Sequence, residues 1–259
     1  MKRFIQQILS LWLALFAALA TAPAQAQSSY MSDIDIYSTS SSSNVLPNVL
    51  IILDNTANWS SPFDREMAAL YQVIDALPAN KFRLGLMMFT ETGGGNSGPD
   101  GGYVRAAMRK LDDASNGGLN YKAKMLALFN TAVAGSIHKT NDRSNAGKAA
   151  WTMAEAYYYF AQKAPYAGNQ KAKTDYTGNN TLNATTYAAS RAIYDMAGNA
   201  LSSKNATQYQ SFPQDACAGN YIIWISNGAT QDPNSDNTSA STALTNAYTA
   251  LGLTRPADI

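Results

Sequence analysis

Asp54, Thr56 and Asn58 place three oxygen-bearing side chains at alternate positions of one short segment, Asp54-Asn55-Thr56-Ala57-Asn58. A carboxylate with one or two neutral oxygens and water suits a hard divalent cation, magnesium in particular. The segment follows an unbroken apolar run, Val49-Leu50-Ile51-Ile52-Leu53. It precedes Ser61-Pro62-Phe63-Asp64, which reads as an N-cap, a proline at the first helical position and a first-turn acid. In open α/β sheets ligands bind beyond the carboxyl ends of the strands, so position gives this short motif its weight. Asn227 stands in the same relation to a second apolar run, Tyr221-Ile222-Ile223-Trp224-Ile225-Ser226.

Other chemistry is thinner. Asp232-Pro233-Asn234-Ser235-Asp236-Asn237 resembles the start of a calcium loop. It has Asn237 where the loop needs glycine and Ala243 where it needs its closing acid, so it reads as a polar turn. His138 is the only histidine and lies in a polar stretch with no nucleophile motif beside it. It reads as a surface residue, and no Ser/His/Asp or Cys/His constellation has workable spacing. Six glycines fall between Thr92 and Tyr103, but the lysine and Ser/Thr of a phosphate loop are missing. Cys217 is the only cysteine. No disulfide can form within the chain, which leaves a missing partner, a free thiol or a buried inert one.

These residues need elements to position them. The run at 49–53 has no polar alternation and fits a strand covered on both faces. Met67, Leu70, Tyr71, Ile74 and Leu77 then recur at helical spacing, and Pro78 stops that helix. Residues 82–89 read as a second strand, and Gly101-Gly102-Tyr103-Val104-Arg105 opens a third after a hairpin-like glycine-rich connection. Met125, Leu128, Phe129, Ala132 and Val133 form one further helical stripe, and Met153, Ala156, Tyr157, Phe160 and Ala161 another. The first tyrosine of Tyr157-Tyr158-Tyr159 should therefore face the core, while the run as a whole could serve an interface. Residues 164–190 are polar and read as an insertion or long loop. A modest helix is expected over 190–201, the strand at Tyr221 is expected to be buried, and a weak helix is expected over 242–251. This order predicts a three-layer, Rossmann-like α/β domain with a mostly parallel central sheet. So few strands leave that sheet incomplete at its C-terminal end, with an exposed edge.

Length suggests one large domain or two small ones. The chain has 259 residues, 46% apolar and 14% charged. That balance excludes a highly charged disordered chain and a generic nucleic-acid binder. Lys2 and Arg3 precede an apolar run shorter than the roughly 20 residues a bilayer core needs, and Ala24-Gln25-Ala26 follows. Residues 1–26 thus read as a secretory signal peptide. They carry two of the 19 basic residues and none of the 18 acidic ones, so their loss takes the formal charge from +1 to −1. Such a balance selects no electrostatic partner. Residues 27–44 read as a Ser-rich linker and 45–259 as the domain. No later stretch could span a membrane.

Asn48-Val49-Leu50-Ile51-Ile52-Leu53-Asp54-Asn55-Thr56 resembles the first strand and metal loop of von Willebrand factor type A domains, whose Asp-x-Ser-x-Ser loop forms a metal-ion-dependent adhesion site. Three further stretches narrow the resemblance to the N-terminal region of PilY/PilC-type type IV pilus tip proteins. They are Phe82-Arg83-Leu84-Gly85-Leu86-Met87 with Gly101-Gly102-Tyr103-Val104-Arg105, then Ala154-Glu155-Ala156-Tyr157-Tyr158-Tyr159-Phe160. The last is Cys217-Ala218-Gly219-Asn220-Tyr221-Ile222-Ile223 running into Ser226-Asn227-Gly228. The resemblance spans about residues 44–227. It implies a degenerate adhesion site on Asp54, Thr56, Asn58 and Asn227, holding magnesium weakly or no cofactor. Asn58 stands where the family has a second serine, and Asn227 where it has an acid. The family's distal threonine aligns with Trp151 or, with a shift, Thr152.

The resemblance implies an exported, non-enzymatic binding domain of the periplasm, pilus tip or cell surface of a Gram-negative-type bacterium. Its expected partners are minor pilins or a surface or host protein, not nucleic acid. A secreted type A domain unrelated to pili, binding a protein ligand, is the alternative, with a secreted hydrolase behind it. The related pilus proteins further imply that Cys217 pairs with a cysteine outside this chain. The purified chain should then carry one titratable thiol or form disulfide-linked dimers. A thiol that resists labelling in the native state, with no dimer on non-reducing gels, would favour the buried reading.

Overall fold

A computed structural model describes residues 45–60, 62–89, 99–115, 118–144, 148–179, 181–182, 185–186, 188, 191–213, 218–228 and 232–255. The expected signal peptide, the Ser-rich segment, the expected cap Ser61 and Cys217 lie outside them. Strands β1 (Asn48–Leu53), β2 (Arg83–Phe89) and β3 (Gly102–Lys110) precede a two-residue pair, β4 (Thr181–Leu182) and β5 (Thr185–Thr186), and then β6 (Asn220–Ile225). The central sheet has the order β3-β2-β1-β6. β1 runs parallel to both β2 and β6, whereas β3 returns antiparallel to β2. The sheet is therefore mixed, with two parallel pairs and one antiparallel pair.

Helices α1 (Phe63–Ala76), α2 (Tyr121–Phe129), α3 (Ala149–Phe160) and α4 (Asn234–Ala250) complete the frame. Alternation along β1 explains why its apolar run is continuous. Ile51 and Leu53 join a core with Met67, Leu70 and Ile74 of α1 and Met125 and Leu128 of α2. Leu50 and Ile52 face the other side, packing with Met87, Phe89, Val104 and the α3 residues Ala156 and Tyr159. Helices thus cover both faces of an α/β sheet, and a strand covered twice has no polar side.

Several expectations need correction. Pro62 occupies the N-cap of α1, with no side-chain cap bond, rather than the first helical position. Tyr71 is exposed although it belongs to the expected stripe. Helix α2 ends at Phe129, so Ala132 and Val133 lie in the turn beyond it. The buried face of α3 is rotated from its apolar pattern: Met153 is exposed, while Thr152, Glu155 and Tyr159 are buried. Tyr159, not Tyr157, enters the core, and Tyr157 instead stacks on Tyr248 of α4. No helix forms over 191–201; the described residues there hold only a 3-10 turn, Ile193–Asp195. Helix α4 begins at Asn234, earlier than expected. β6 is not buried on both faces. It lies at the sheet edge with Tyr221, Ile222 and Ile223 exposed.

The polar stretch expected as an insertion or long loop after α3 carries buried polar side chains. Lys171, Lys173, Thr174, Asp175 and Asn179 are all buried. Asp175 accepts hydrogen bonds from Ala107 N–H at 2.8 Å, Asn199 at 2.7 Å and both terminal nitrogens of Arg109 at 2.8 and 3.3 Å. Its own N–H donates to Val104 O at 2.8 Å. Burial opposes the Arg109 charge, but the Asp175 carboxylate outweighs it and the guanidinium pKa rises.

Glu155 organises the other end of this stretch. Its carboxylate accepts from the N–H groups of Tyr166, Ala167 and Gly168 and from the Tyr209 hydroxyl. Gly168 is required here: a Cβ would collide with that hydroxyl and lie 2.8 Å from Glu155 Oε1. Burial outweighs these donors and pushes the carboxyl from 4.5 up to about 7. Between those values the folded chain holds a proton that the unfolded chain has released, so this group's contribution to stability falls as pH rises. At about 1.4 kcal/mol per unit, the loss is about 3 kcal/mol from pH 4.5 to 7. Urea midpoints should therefore fall more steeply with pH in the unmodified protein than in Glu155→Gln. Equal slopes would contradict this account.

Candidate functional site

Asp54 is the first residue beyond β1 and is 4% exposed. Its N–H donates to Ile225 O at 2.9 Å, which continues the β1–β6 ladder past the strand end. Its carboxylate then closes a local turn. Oδ1 accepts from Thr56 N–H at 3.1 Å and from the Thr56 hydroxyl at 2.7 Å. Oδ2 accepts from Asn227 N–H at 3.2 Å, and the Asn227 amide nitrogen donates to Thr56 O at 3.1 Å. Two loops that leave adjacent parallel strands at their carboxyl ends are thereby joined. Asp54, Thr56 and Asn227 come together as expected. Asn58 falls in the 3-10 turn Ala57–Ser60, and its side chain lies outside the described residues.

A second carboxylate, missing from the sequence reading, lies near. Glu66 in the first turn of α1 accepts a hydrogen bond from Trp59 Nε1. Burial raises its pKa, the Trp59 bond opposes the rise, and the charge of Asp54 adds to it. The signal available was an acid in the first turn of the helix that follows the loop. Sequence spacing cannot show that it approaches Asp54.

Asn55 points the opposite way, into the interior. Its Oδ1 accepts from Phe89 N–H at 2.9 Å, and its amide donates to Asp142 O. Its carbonyl accepts from Ser144 N–H at 2.7 Å. The segment containing Asp142 and Ser144 therefore borders the metal-type loop. Thr152, by contrast, packs so near Gly102 that a Cβ there would lie 2.8 Å from its methyl. Its buried hydroxyl finds no partner among the described residues, and no described bond links it to the Asp54 loop. Ser144 was missed because it falls between two helical stripes, in a polar run with no periodicity.

Asp232 and Asp236 do not form a calcium loop. Asp232 accepts from Ala150 N–H at 2.9 Å in the first turn of α3, and Asp236 pairs with Lys148. His138 is exposed, and its ring Nδ1 accepts from Thr140 and Asn141 N–H groups, both at 3.2 Å.

As a cation site this arrangement has one carboxylate and one hydroxyl at its centre. Both Asp54 oxygens already accept hydrogen bonds, and Asn227 turns its nitrogen toward the loop. Among the described residues no group of three or more His, Cys, Asp or Glu side chains could hold a metal ion. Among the described residues no helix is long and apolar enough to cross a membrane. Nothing among protein-family models, curated proteins or solved structures matches the chain significantly.

The bonds rank the loop residues by their structural weight. Asn55→Ala strands the buried Phe89 N–H and Asp142 carbonyl, at about 1–3 kcal/mol for each unpaired group. Thr56→Val removes one bond from a partly exposed residue and should cost about 1 kcal/mol. Urea denaturation of the two variants measures the difference, and a Thr56→Val loss equal to that of Asn55→Ala would refute the ranking.

Proposed function

We propose that this chain is an exported, non-enzymatic von Willebrand factor A-like binding domain acting in type IV pilus biogenesis or pilus-tip adhesion, with a degenerate metal-ion-dependent adhesion site. The observation that carries the reading is the meeting of Asp54 and Thr56 with Asn227 beyond the carboxyl ends of β1 and β6. That is where ligands of open α/β sheets bind. The resemblance of the strand and loop sequences to PilY/PilC-type proteins adds the pilus context, with minor pilins or a surface or host protein as partner.

Asp54 and Thr56 are the residues that would hold a cation, and a bound cation would offer a Lewis-acidic position to a partner's carboxylate. The chain's own contribution is orientation. Asp54 holds Thr56 and Asn227 in a turn through hydrogen bonds of its own carboxylate, so the loops are shaped without an ion. With Asn227 in place of an acid, magnesium or manganese should bind no tighter than about millimolar, the weak end of oxygen-ligand sites. Calorimetry should show stronger binding in Asn227→Asp and none in Asp54→Ala. Micromolar affinity in the unmodified chain, or no gain from Asn227→Asp, would overturn the assignment. For the partner, immobilised minor pilins should retain the purified chain. Failure to do so, with retention by another surface protein, would favour a type A domain unrelated to pili.

A further inference from the structure

Lys173 and Asp142 form a contact unlike the other lysine–aspartate pairs described. Lys124 pairs with Asp195, which is 28% exposed, and Lys171 with Asp100, which is 47% exposed. Lys148 and Asp236 are both partly exposed, and Lys110 with Asp112 and Asp113 is open on both sides. In the pair Lys173 Nζ–Asp142 Oδ1 the side chains are 1% and 0% exposed. Among the described residues the other sealed pair, Arg109–Asp175, uses a guanidinium, which stays charged and is no nucleophile. A primary amine and a carboxylate are thus held in contact, shielded from solvent.

We propose that, after folding, Lys173 and Asp142 become joined by an amide bond between Lys173 Nζ and Asp142 Cγ. Removing an ammonium and a carboxylate from water is costly, and the neutral amide avoids that cost. Shielding from solvent favours the condensed side further, since hydrolysis needs water.

The step needs no external reagent. The Lys173 ammonium passes one proton to Asp142 Oδ1, which leaves a neutral amine facing a carboxylic acid. The amine lone pair attacks Cγ, and negative charge develops on Oδ2. The His138 backbone N–H lies 2.6 Å from Oδ2 and stabilises that charge. A second proton passes from Nζ to Oδ1, the Cγ–Oδ1 bond breaks with both electrons going to oxygen, and one water leaves. Nothing is oxidised or reduced. Asp142 O accepts from Asn55, and Tyr194 hydroxyl donates to Lys173 O at 3.0 Å. The amide would therefore be a covalent strut between the segment bordering the Asp54 loop and the polar stretch bound to β3.

Tryptic digestion of the purified full chain, denatured first, tests this by mass spectrometry. Cleavage after Lys173 should be lost. Residues 140–143 should appear as a branch on residues 172–191, lighter than the sum of the two by one water. Asp142→Asn should give the same branched peptide, formed with loss of ammonia in place of water. Lys173→Arg should give only linear peptides. Linear 140–143 from the unmodified chain, with free Lys173 amine labelled in denaturant, would overturn the proposal.

Discussion

The buried Asp175 carboxylate is the constraint on which most of this structure depends. It sits against β3, the antiparallel outer strand, and takes hydrogen bonds from Arg109, Ala107 and Asn199 at once. Leu201 N–H donates to its carbonyl at 3.1 Å. A stretch of polar chain is thereby fastened across a strand that would otherwise present an open face and edge to water. Breaking such a pair by removing one partner leaves a charge buried and unpaired, at about 3–5 kcal/mol. The arginine is held in place further by Tyr121, whose ring lies 5.4 Å from the guanidinium carbon. The Tyr121 hydroxyl shares its one proton between Leu84 O and Ala107 O, at 3.0 and 2.8 Å. One ion pair therefore links sheet, helix α2 and the polar stretch.

The same principle recurs at other buried polar groups among the described residues, several of which join segments distant in sequence. Glu155 gathers three successive backbone N–H groups and Tyr209. Asn55 joins the end of β2 to the segment of Asp142 and Ser144. A low-dielectric interior makes unpaired polar groups expensive, so each satisfied one selects a single arrangement of the loops around it. The proposed binding face inherits this rigidity. Asp54 is buried and Thr56 half-buried in a turn whose reverse side is locked by Asn55.

The two outer strands of the sheet meet different ends. β3 is covered, and Arg105 and Arg109 are buried there. β6 carries an apolar sequence with exposed residues on both faces, and no strand pairs with its outer edge among the described residues. An uncharged apolar edge of that kind is a template for further strand pairing. Its chemistry contrasts with the hydrogen-bonded turn at its carboxyl end, where Asn227 meets Asp54.

Sequence alone determined the elements whose signal is local. The apolar run of β1 must be a doubly covered strand, the stripe from Met67 to Ile74 must be a helix against it, and Asp54 must follow at the strand's end. Those inferences need only periodicity and the identity of neighbouring residues. Tertiary structure decided which faces are buried and which polar groups are interior. Helix α3 turns Glu155 and Thr152 inward against its apolar pattern because backbone donors 11 to 13 residues further on satisfy the carboxylate. The stretch of Lys171, Lys173 and Asp175 reads only as a polar insertion or long loop, since its partners, Arg109 and Asp142, lie 66 and 31 residues away. Tyr221 and its neighbours read as buried because burial of a strand depends on what lies beside it. Pairing energy between distant charges and hydrogen-bonding groups has no period along the chain, so only the folded arrangement could reveal it.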